Sequence, residues 1–296
     1  MLVPDARGLT ALAGRPDLRP VRYGAAEPPA DALDAEIMVV TYTGVDRAAA
    51  LMRRLPRLRL VQTLTAGTDV WRGRIPAGVL LSNASGAGGG STAEWVMAAL
   101  LAVLREIPTS VRDQAAGRWN SRVTDTLDGK RVLILGAGDV GRNVRARLIP
   151  FGARVTMAAR RARPGVAPID AVGDLLGAQD VVVAALPLTP ESRRIIDASF
   201  LAALPDGCVL VNAGRGEVVD AAALLAELRT GRLRAALDVT DPEPLPPDHP
   251  LWHAPGLLIT PHLGGSTAGY EQRAWRVAAE QIARYLSGAA LPNLVE

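Results

Sequence analysis

The sequence predicts an α/β chain of two doubly wound, parallel-sheet domains. Two observations carry that reading. Short aliphatic runs alternate with helical stretches along most of the 296 residues, the order that builds a parallel sheet. Most of those runs are apolar throughout rather than alternating, as expected of strands covered on both faces. The composition agrees, with 49% hydrophobic and 21% charged residues, a globular balance in a chain long enough for two modest domains. Aromatic residues are only 4%, so aliphatic side chains and Ala must fill the cores.

In chain order, residues 36–42 (EIMVVTY) and 58–64 (LRLVQTL) read as strands, with a helix over 48–55 between them. The run VLLSN leads into GAGGGST at 86–92, read either as a flexible hinge or as backbone kept close to a ligand. The most apolar stretch, 95–104, falls far short of the ~20 residues of a membrane span. It reads as a helix buried on several sides, at a subunit or domain interface. Six strands follow at 131–136, 153–159, 180–186, 208–214, 234–239 and 257–262. Between them lie helical segments such as 221–229, stopped by Thr230-Gly231. The Pro-rich 241–250 is a stiff loop. A last helix over 267–286 ends at Ser287-Gly288 and is expected to return to the first domain.

Charge and cysteine content exclude several classes. The net charge is +3 and the pI about 9.5, but the cations, all Arg except Lys130, are scattered among acids apart from an excess over 142–163. With no aromatic-and-basic motif, nucleic acid is not expected as a partner. No metal-ligand spacing occurs, and no metal is expected. A single cysteine, Cys208, excludes an intramolecular disulfide and fits a reducing compartment. The N-terminus carries Asp5 and no long apolar run, so it is not a secretory signal. A cytoplasmic protein is expected.

Residues 136–141 read Gly-Ala-Gly-Asp-Val-Gly, after one predicted strand and before a predicted helix, the context this motif requires. Gly136 permits the tight turn, Gly138 lets backbone approach a pyrophosphate, and Gly141 lets helix and strand pack closely. The helix N-terminus then offers free N–H groups to phosphate. The central domain is therefore read as a Rossmann dinucleotide-binding domain, with Asp139 and Val140 of the turn among the cofactor contacts. NAD sites usually carry an acid at the end of the next strand. Here that end is Ala159-Arg160-Arg161, with no acid and with guanidinium groups suited to a 2′-phosphate. NADP(H) is favoured over NAD(H), with Arg160 and Arg161 as contacts.

Three more strand ends carry polar residues with no evident packing use: Arg215 in NAGRG, Glu243 in LDVTDPEP and His262 in ITPH. Each alone would read as a helix cap, a loop acid or a core histidine. Together they lie where ligands bind in an open parallel sheet. Hydride transfer to a carbonyl creates an alkoxide that needs a proton, and His is the natural donor. A carboxylate such as Glu243 would orient the ring and favour imidazolium. Arg215 can hold a substrate carboxylate or polarise its carbonyl.

These segments, with T-A-G-T-D (65–69), S-T-A-E (91–94), G-R-W (117–119), L-D-G-K-R-V (127–132), L-P-L-T-P-E-S (186–192), H-P-L-W (249–252) and the strand-end motifs in order, resemble the D-isomer-specific 2-hydroxyacid dehydrogenase family. The resemblance covers nearly the whole chain and is nearest to the glyoxylate/hydroxypyruvate reductases. It implies that Arg215, Glu243 and His262 are the catalytic set, with His262 the proton donor. It implies that Asp238 lies near the nicotinamide amide and that Pro187, Thr189 and Ala213 line the cofactor. Ala66 and Gly67 would bind substrate carboxylate through backbone N–H groups. It further implies a discontinuous substrate domain (1–89 and 267–296), a nucleotide domain (90–266), substrate in the cleft between them, and homodimers formed through the nucleotide domains, with the helix over 94–104 as linker and dimer element.

The sequence departs from the family pattern at Ala159, in place of the acid, and at Thr92, in place of the usual Val. Glu243 argues against the formate dehydrogenase branch, and the absence of a regulatory domain after the last helix argues against amino-acid feedback. The expected activity is NADPH-dependent reduction of a small 2-ketoacid to a D-2-hydroxyacid. The alternatives are a phosphite dehydrogenase-like oxidoreductase and a nucleotide-sensing, corepressor-like protein.

Overall fold

The computed structural model describes residues 1–23 and 30–295. The chain divides into two compact units, Met1–Gly88 with Ala268–Glu296, and Gly89–Thr267. Both are α/β with all-parallel sheets.

The first unit holds β1 (Leu2–Val3), α1 (Ala6–Ala11), β2 (Val21–Arg22), β3 (Ile37–Val40), α2 (Val45–Met52), β4 (Leu60–Thr63) and β5 (Leu80–Ser82). The sheet order is β2-β1-β3-β4-β5. Strands β3 and β4 are wholly buried, and the two sheet faces support separate cores around Met38 and Val61 and around Val39 and Leu60. Helix α2 begins three residues before its expected start, after Gly44 in the left-handed region at φ 67°. Leu55 lies beyond its end yet is buried, so core burial in a turn imitates helix continuation. Strands of two or three residues are too short to leave a periodic signal.

The second unit opens with α3 (Gly89–Leu104) and α4 (Ile107–Ala115). It continues through β6 (Arg131–Leu135), α5 (Asp139–Leu148), β7 (Arg154–Ala159), β8 (Val166–Pro168), α6 (Gly173–Leu176), β9 (Val181–Ala184), α7 (Ala198–Ala202), β10 (Val209–Asn212), α8 (Ala221–Thr230), β11 (Arg234–Leu237) and β12 (Leu257–Ile259). The sheet order is β12-β11-β10-β9-β6-β7-β8. The connection reverses between β6 and β9, the switch point at which such sheets bind dinucleotides. Leu133 and Leu135 face one core and Val132 and Ile134 the other, which explains why β6 reads apolar throughout.

The Gly-dense segment is not wholly a hinge or open loop, because Gly89 and Gly90 form the first turn of α3. A Cβ on Gly89 would collide with the Asp139 carboxylate, so this glycine permits two helix N-termini to pack. The last helix, α9 (Tyr270–Leu286), starts after Gly269 at φ 75° rather than at 267. Its Ala274, Trp275, Ala278 and Ile282 bury against the first unit's second core. No helix among the described residues is long and apolar enough to cross a membrane.

Candidate active site

Strands β10, β11 and β12 are adjacent and in register, with Asn212, Leu237 and Ile259 at their paired ends. Arg215, Glu243 and His262 follow these three ends, so the sheet delivers them to one edge of the unit. His262 Nδ1 is 2.7 Å from Glu243 Oε1. With the carboxylate ionised, Nδ1 carries the hydrogen and donates it, which leaves Nε2 as the working nitrogen. Both side chains are partly exposed, 47% for His262 and 41% for Glu243, so the pair is open to a ligand.

His262 lies at φ 55°, a left-handed conformation that costs a non-glycine residue of order 1 kcal/mol. Asp238, 3% exposed, holds it there. One carboxylate oxygen accepts from the Thr260 hydroxyl at 2.6 Å and the Leu263 amide at 2.8 Å; the other accepts from the Gly264 amide at 2.8 Å. The Asp238 carbonyl accepts from the His262 amide at 2.8 Å. A Cβ on Gly264 would press on the same carboxylate at 2.8 Å. Asp238, expected as a cofactor contact, clamps the loop that carries His262.

Arg215 is held from its backbone outward. The Asn212 side chain donates to the Arg215 carbonyl at 2.9 Å and accepts from the Gly214 amide at 3.0 Å. One guanidinium nitrogen donates to the Gly214 carbonyl at 2.8 Å. Gly216 cannot be replaced without striking the Thr240 carbonyl, which brings the turns after β10 and β11 together. Asn212, fully buried, is a positioning residue not singled out from the sequence; a buried amide at a strand end was its only signal.

At the switch point, Gly136 has φ 110°, and a Cβ there would strike the Ala185 carbonyl. A Cβ on Gly141 would strike the Gly136 carbonyl. Both glycines are required by the protein itself. Gly138 differs: its φ of −76° suits any residue, and a Cβ would meet nothing within 4 Å. The space beside Gly138 at the N-terminus of α5 fits a cofactor pyrophosphate. Asp139, in the first turn of α5, points its carboxylate to the Asn143 side chain at 3.0 Å; Val140 is half-buried behind it. Across the switch point, the Ser192 hydroxyl donates to the Pro187 carbonyl at 2.7 Å and accepts from the Thr189 amide at 2.8 Å. This ties down the turn of Pro187 and Thr189. Ala213 is half-buried just past β10. Arg160 and Arg161 are exposed beyond β7.

In the first unit, the loop after β4 turns its carbonyls inward. The Leu64 carbonyl accepts from Tyr270 at 3.0 Å, Thr65 from Thr63 at 2.6 Å, Ala66 from Asn83 at 3.1 Å and Gly67 from Thr65 at 2.8 Å. Burial pushes the Tyr270 phenol up from its ordinary value, keeping it a donor. The Ala66 and Gly67 amides meet no acceptor among the described residues. The one thiol, Cys208, is buried and pushed up to about 12, chiefly by desolvation, so it stays protonated and unreactive.

The parallel sheet with strand reversal, the phosphate-accommodating turn and the strand-end His–Glu pair define an NAD(P)-dependent oxidoreductase class. Comparison with known proteins agrees. The family model "D-isomer specific 2-hydroxyacid dehydrogenase, NAD binding domain" matches residues 97–264. D-3-phosphoglycerate dehydrogenase of Mycobacterium leprae is 37% identical over 282 residues, covering 92% of this chain and 52% of its own length. Glyoxylate reductase of Aeropyrum pernix is 32% identical over 262 residues, covering 83% and 78% respectively. A D-isomer specific 2-hydroxyacid dehydrogenase from Xanthobacter autotrophicus Py2, solved with NADPH and MES, superposes with a TM-score of 0.87 at 31% identity, over 100% of this chain and 97% of that one.

The chain belongs to the D-isomer-specific 2-hydroxyacid dehydrogenase family. It spans about half the length of the phosphoglycerate dehydrogenases it matches.

Proposed function

We propose that the protein is an NADPH-preferring reductase of small 2-ketoacids, glyoxylate- or hydroxypyruvate-like, giving D-2-hydroxyacids. The observation that carries the reading is the His262–Glu243 pair at 2.7 Å on the strand edge that also bears Arg215. The bound cofactor supplies the hydride to the keto carbon. His262 Nε2 delivers the proton to the resulting alkoxide, while Glu243 orients the ring and balances its charge. Arg215 holds the substrate carboxylate, and in the first unit the amides of Ala66 and Gly67 are assigned as donors to a carboxylate. Gly136, Gly138, Asp139, Val140, Gly141, Pro187, Thr189, Ala213 and Asp238 surround the cofactor. The absence of an acid at Ala159, with Arg160 and Arg161 beyond it, supports NADP(H) over NAD(H).

We place the enzyme in the cytoplasm, since its one thiol is free, and as a homodimer. The dimer reading rests on the segment after α4, where Trp119 is 98% and Val123 99% exposed. That segment is nevertheless pinned, because Asp113 accepts from Arg118, Asn120 and Arg122 at 3.0–3.1 Å. A second reading, oxidation of a phosphorylated 2-hydroxyacid, is favoured by the 37% identity to phosphoglycerate dehydrogenases.

The test follows absorbance at the nicotinamide band with NADPH and then NADH. The panel is glyoxylate, hydroxypyruvate, pyruvate, branched 2-ketoacids, phenylpyruvate and phosphohydroxypyruvate, with phosphite assayed in the oxidative direction. Turnover of NADPH with glyoxylate or hydroxypyruvate is expected. Turnover confined to phosphohydroxypyruvate would install the second reading. Tight cofactor binding with no turnover of any substrate would overturn both.

A further inference from the structure

The loop after β4 runs from Leu64 to Gly67, and each of its four carbonyls is held by a donor. Three of these anchors, the Thr63 and Thr65 hydroxyls and the Asn83 side chain, lie within residues 63–83. The Ala84 amide adds a second bond to the Thr65 carbonyl at 3.0 Å. The fourth anchor comes from 206 positions away: the Tyr270 hydroxyl, at the start of α9, donates to the Leu64 carbonyl at 3.0 Å. The Leu64 amide donates to the Val40 carbonyl at 2.9 Å. Leu64 is therefore pinned on both sides just where β4 gives way to the loop.

Tyr270 is itself firmly set. Its ring packs against the core that contains Leu64, Ala84 and Ala87, and a Cβ on Gly88 would meet the ring at 3.1 Å. One turn on, the Arg273 guanidinium donates to the Ala87 carbonyl at 2.9 Å and to the Ala268 carbonyl at 3.2 Å. Gly88 and Ala268 are the residues at which the chain leaves and re-enters the first unit. The first turn of α9 thus braces the loop after β4 against both of these positions.

We propose that Tyr270 is a positioning residue for substrate binding: its hydroxyl fixes the peptide plane after Leu64, and through it the direction of the Ala66 and Gly67 amides. The inference rests on the reading above that those amides receive a carboxylate, and deepens it. The Leu64 carbonyl shares its peptide plane with the Thr65 amide, so releasing it lets the plane rotate and carry the next two peptides with it. A buried carbonyl without its donor seeks another, and an amide turned away from an anion loses a charge-assisted bond. A carboxylate remote from the reacting carbon's new bond is bound alike in ground state and transition state, so the loss falls on KM rather than kcat. Tyr270 acts through the backbone and not by contact with the reacting atoms.

The experiment compares Tyr270→Phe with Tyr23→Phe and the wild-type protein. Tyr23 is the control, because its buried hydroxyl also donates to a carbonyl of the first unit at 3.0 Å, that of Val39 in β3 rather than one in the loop. The measurements are steady-state kinetics with the 2-ketoacid turned over best, titration of the cofactor that supports turnover, thermal unfolding, and hydrogen exchange over residues 64–68. Tyr270→Phe is expected to raise KM by about tenfold, the worth of one charge-assisted bond. Its kcat should stay within about threefold and its cofactor affinity within about twofold, as for lost uniform binding. Exchange over 64–68 should quicken. Tyr23→Phe should lower Tm as much and leave both KM and that exchange unchanged.

An unchanged KM in Tyr270→Phe, or an equal rise in Tyr23→Phe, overturns the assignment. If exchange quickens while KM holds, the phenol steadies a loop that does not hold substrate, and the Ala66 and Gly67 part of the reading falls with it. If neither moves, this assignment alone falls. If the wild-type protein reduces no 2-ketoacid, the reductase reading falls and takes this assignment with it.

Discussion

Two loops of the second unit are built on opposite principles. The segment Thr260–Gly264 is over-determined: a carboxylate at 3% exposure takes three hydrogen bonds from it, and its own carbonyl takes a fourth. The segment from Arg160 to Val166 is exposed along most of its length and closed by a two-residue turn. Proton delivery requires an atom fixed to fractions of an ångström, and the first loop supplies that through buried polar bonds. The turn after β7 instead presents its arginines on the surface. The His262 loop is written into buried geometry; the turn after β7 is written into exposed residues that can change with little cost to the fold.

The largest effect expected from this contrast is at His262. His262→Ala should lower turnover by about 10²–10⁴-fold, the usual worth of a positioned acid, while NADPH affinity changes by less than about twofold. Stopped-flow hydride transfer together with a binding titration checks it. A large loss of NADPH affinity would mean that the ring serves the cofactor and that the proton comes from elsewhere.

Next in size is Asp238. Asp238→Asn keeps the shape but places a donor against one of the three donors the carboxylate now satisfies. The cost is about 2 kcal/mol of stability, as for a buried unsatisfied group, and about 10²-fold in kcat through the displaced His262, given how steeply rate depends on placement. The replacement is read by thermal unfolding and by kcat in parallel. Lost stability with unchanged kcat would show that the clamp supports the fold alone.

The same contrast explains what could be read from the sequence. The parallel α/β sheets were legible because β6, β9, β10 and β11 are buried on both faces and so are aliphatic apart from a terminal residue, Arg131, Asn212 or Arg234, in three of them. The strand-end Arg215, Glu243 and His262 were legible because polar side chains after such runs have no packing role. Less was visible where function depends on bonds across turns. Asp238 lies in the motif LDVT, but its grip on Thr260, Leu263 and Gly264 spans 22–26 positions. No local pattern announces such a pairing. Gly89 read as part of a hinge because its reason for being glycine, the Asp139 carboxylate, belongs to another helix.

The smallest effects separate glycines that look equivalent in the sequence. Gly136 and Gly138 are two positions apart in one motif, yet only the first is demanded by the protein's own packing. Gly136→Ala forces a Cβ into the Ala185 carbonyl at φ 110°, and should cost about 3 kcal/mol of stability from the strained backbone and the overlap together. Gly138→Ala meets open space at an ordinary φ, so stability should move by less than about 0.5 kcal/mol. Its added methyl group instead stands where the pyrophosphate must approach, and NADPH and NADH should both weaken, by roughly tenfold, because the pyrophosphate is common to them. Urea unfolding and cofactor titration on the two variants distinguish the cases. If Gly138→Ala proves as unstable as Gly136→Ala, the motif is a folding device at both positions. If it leaves both cofactors unaffected, the pyrophosphate lies elsewhere.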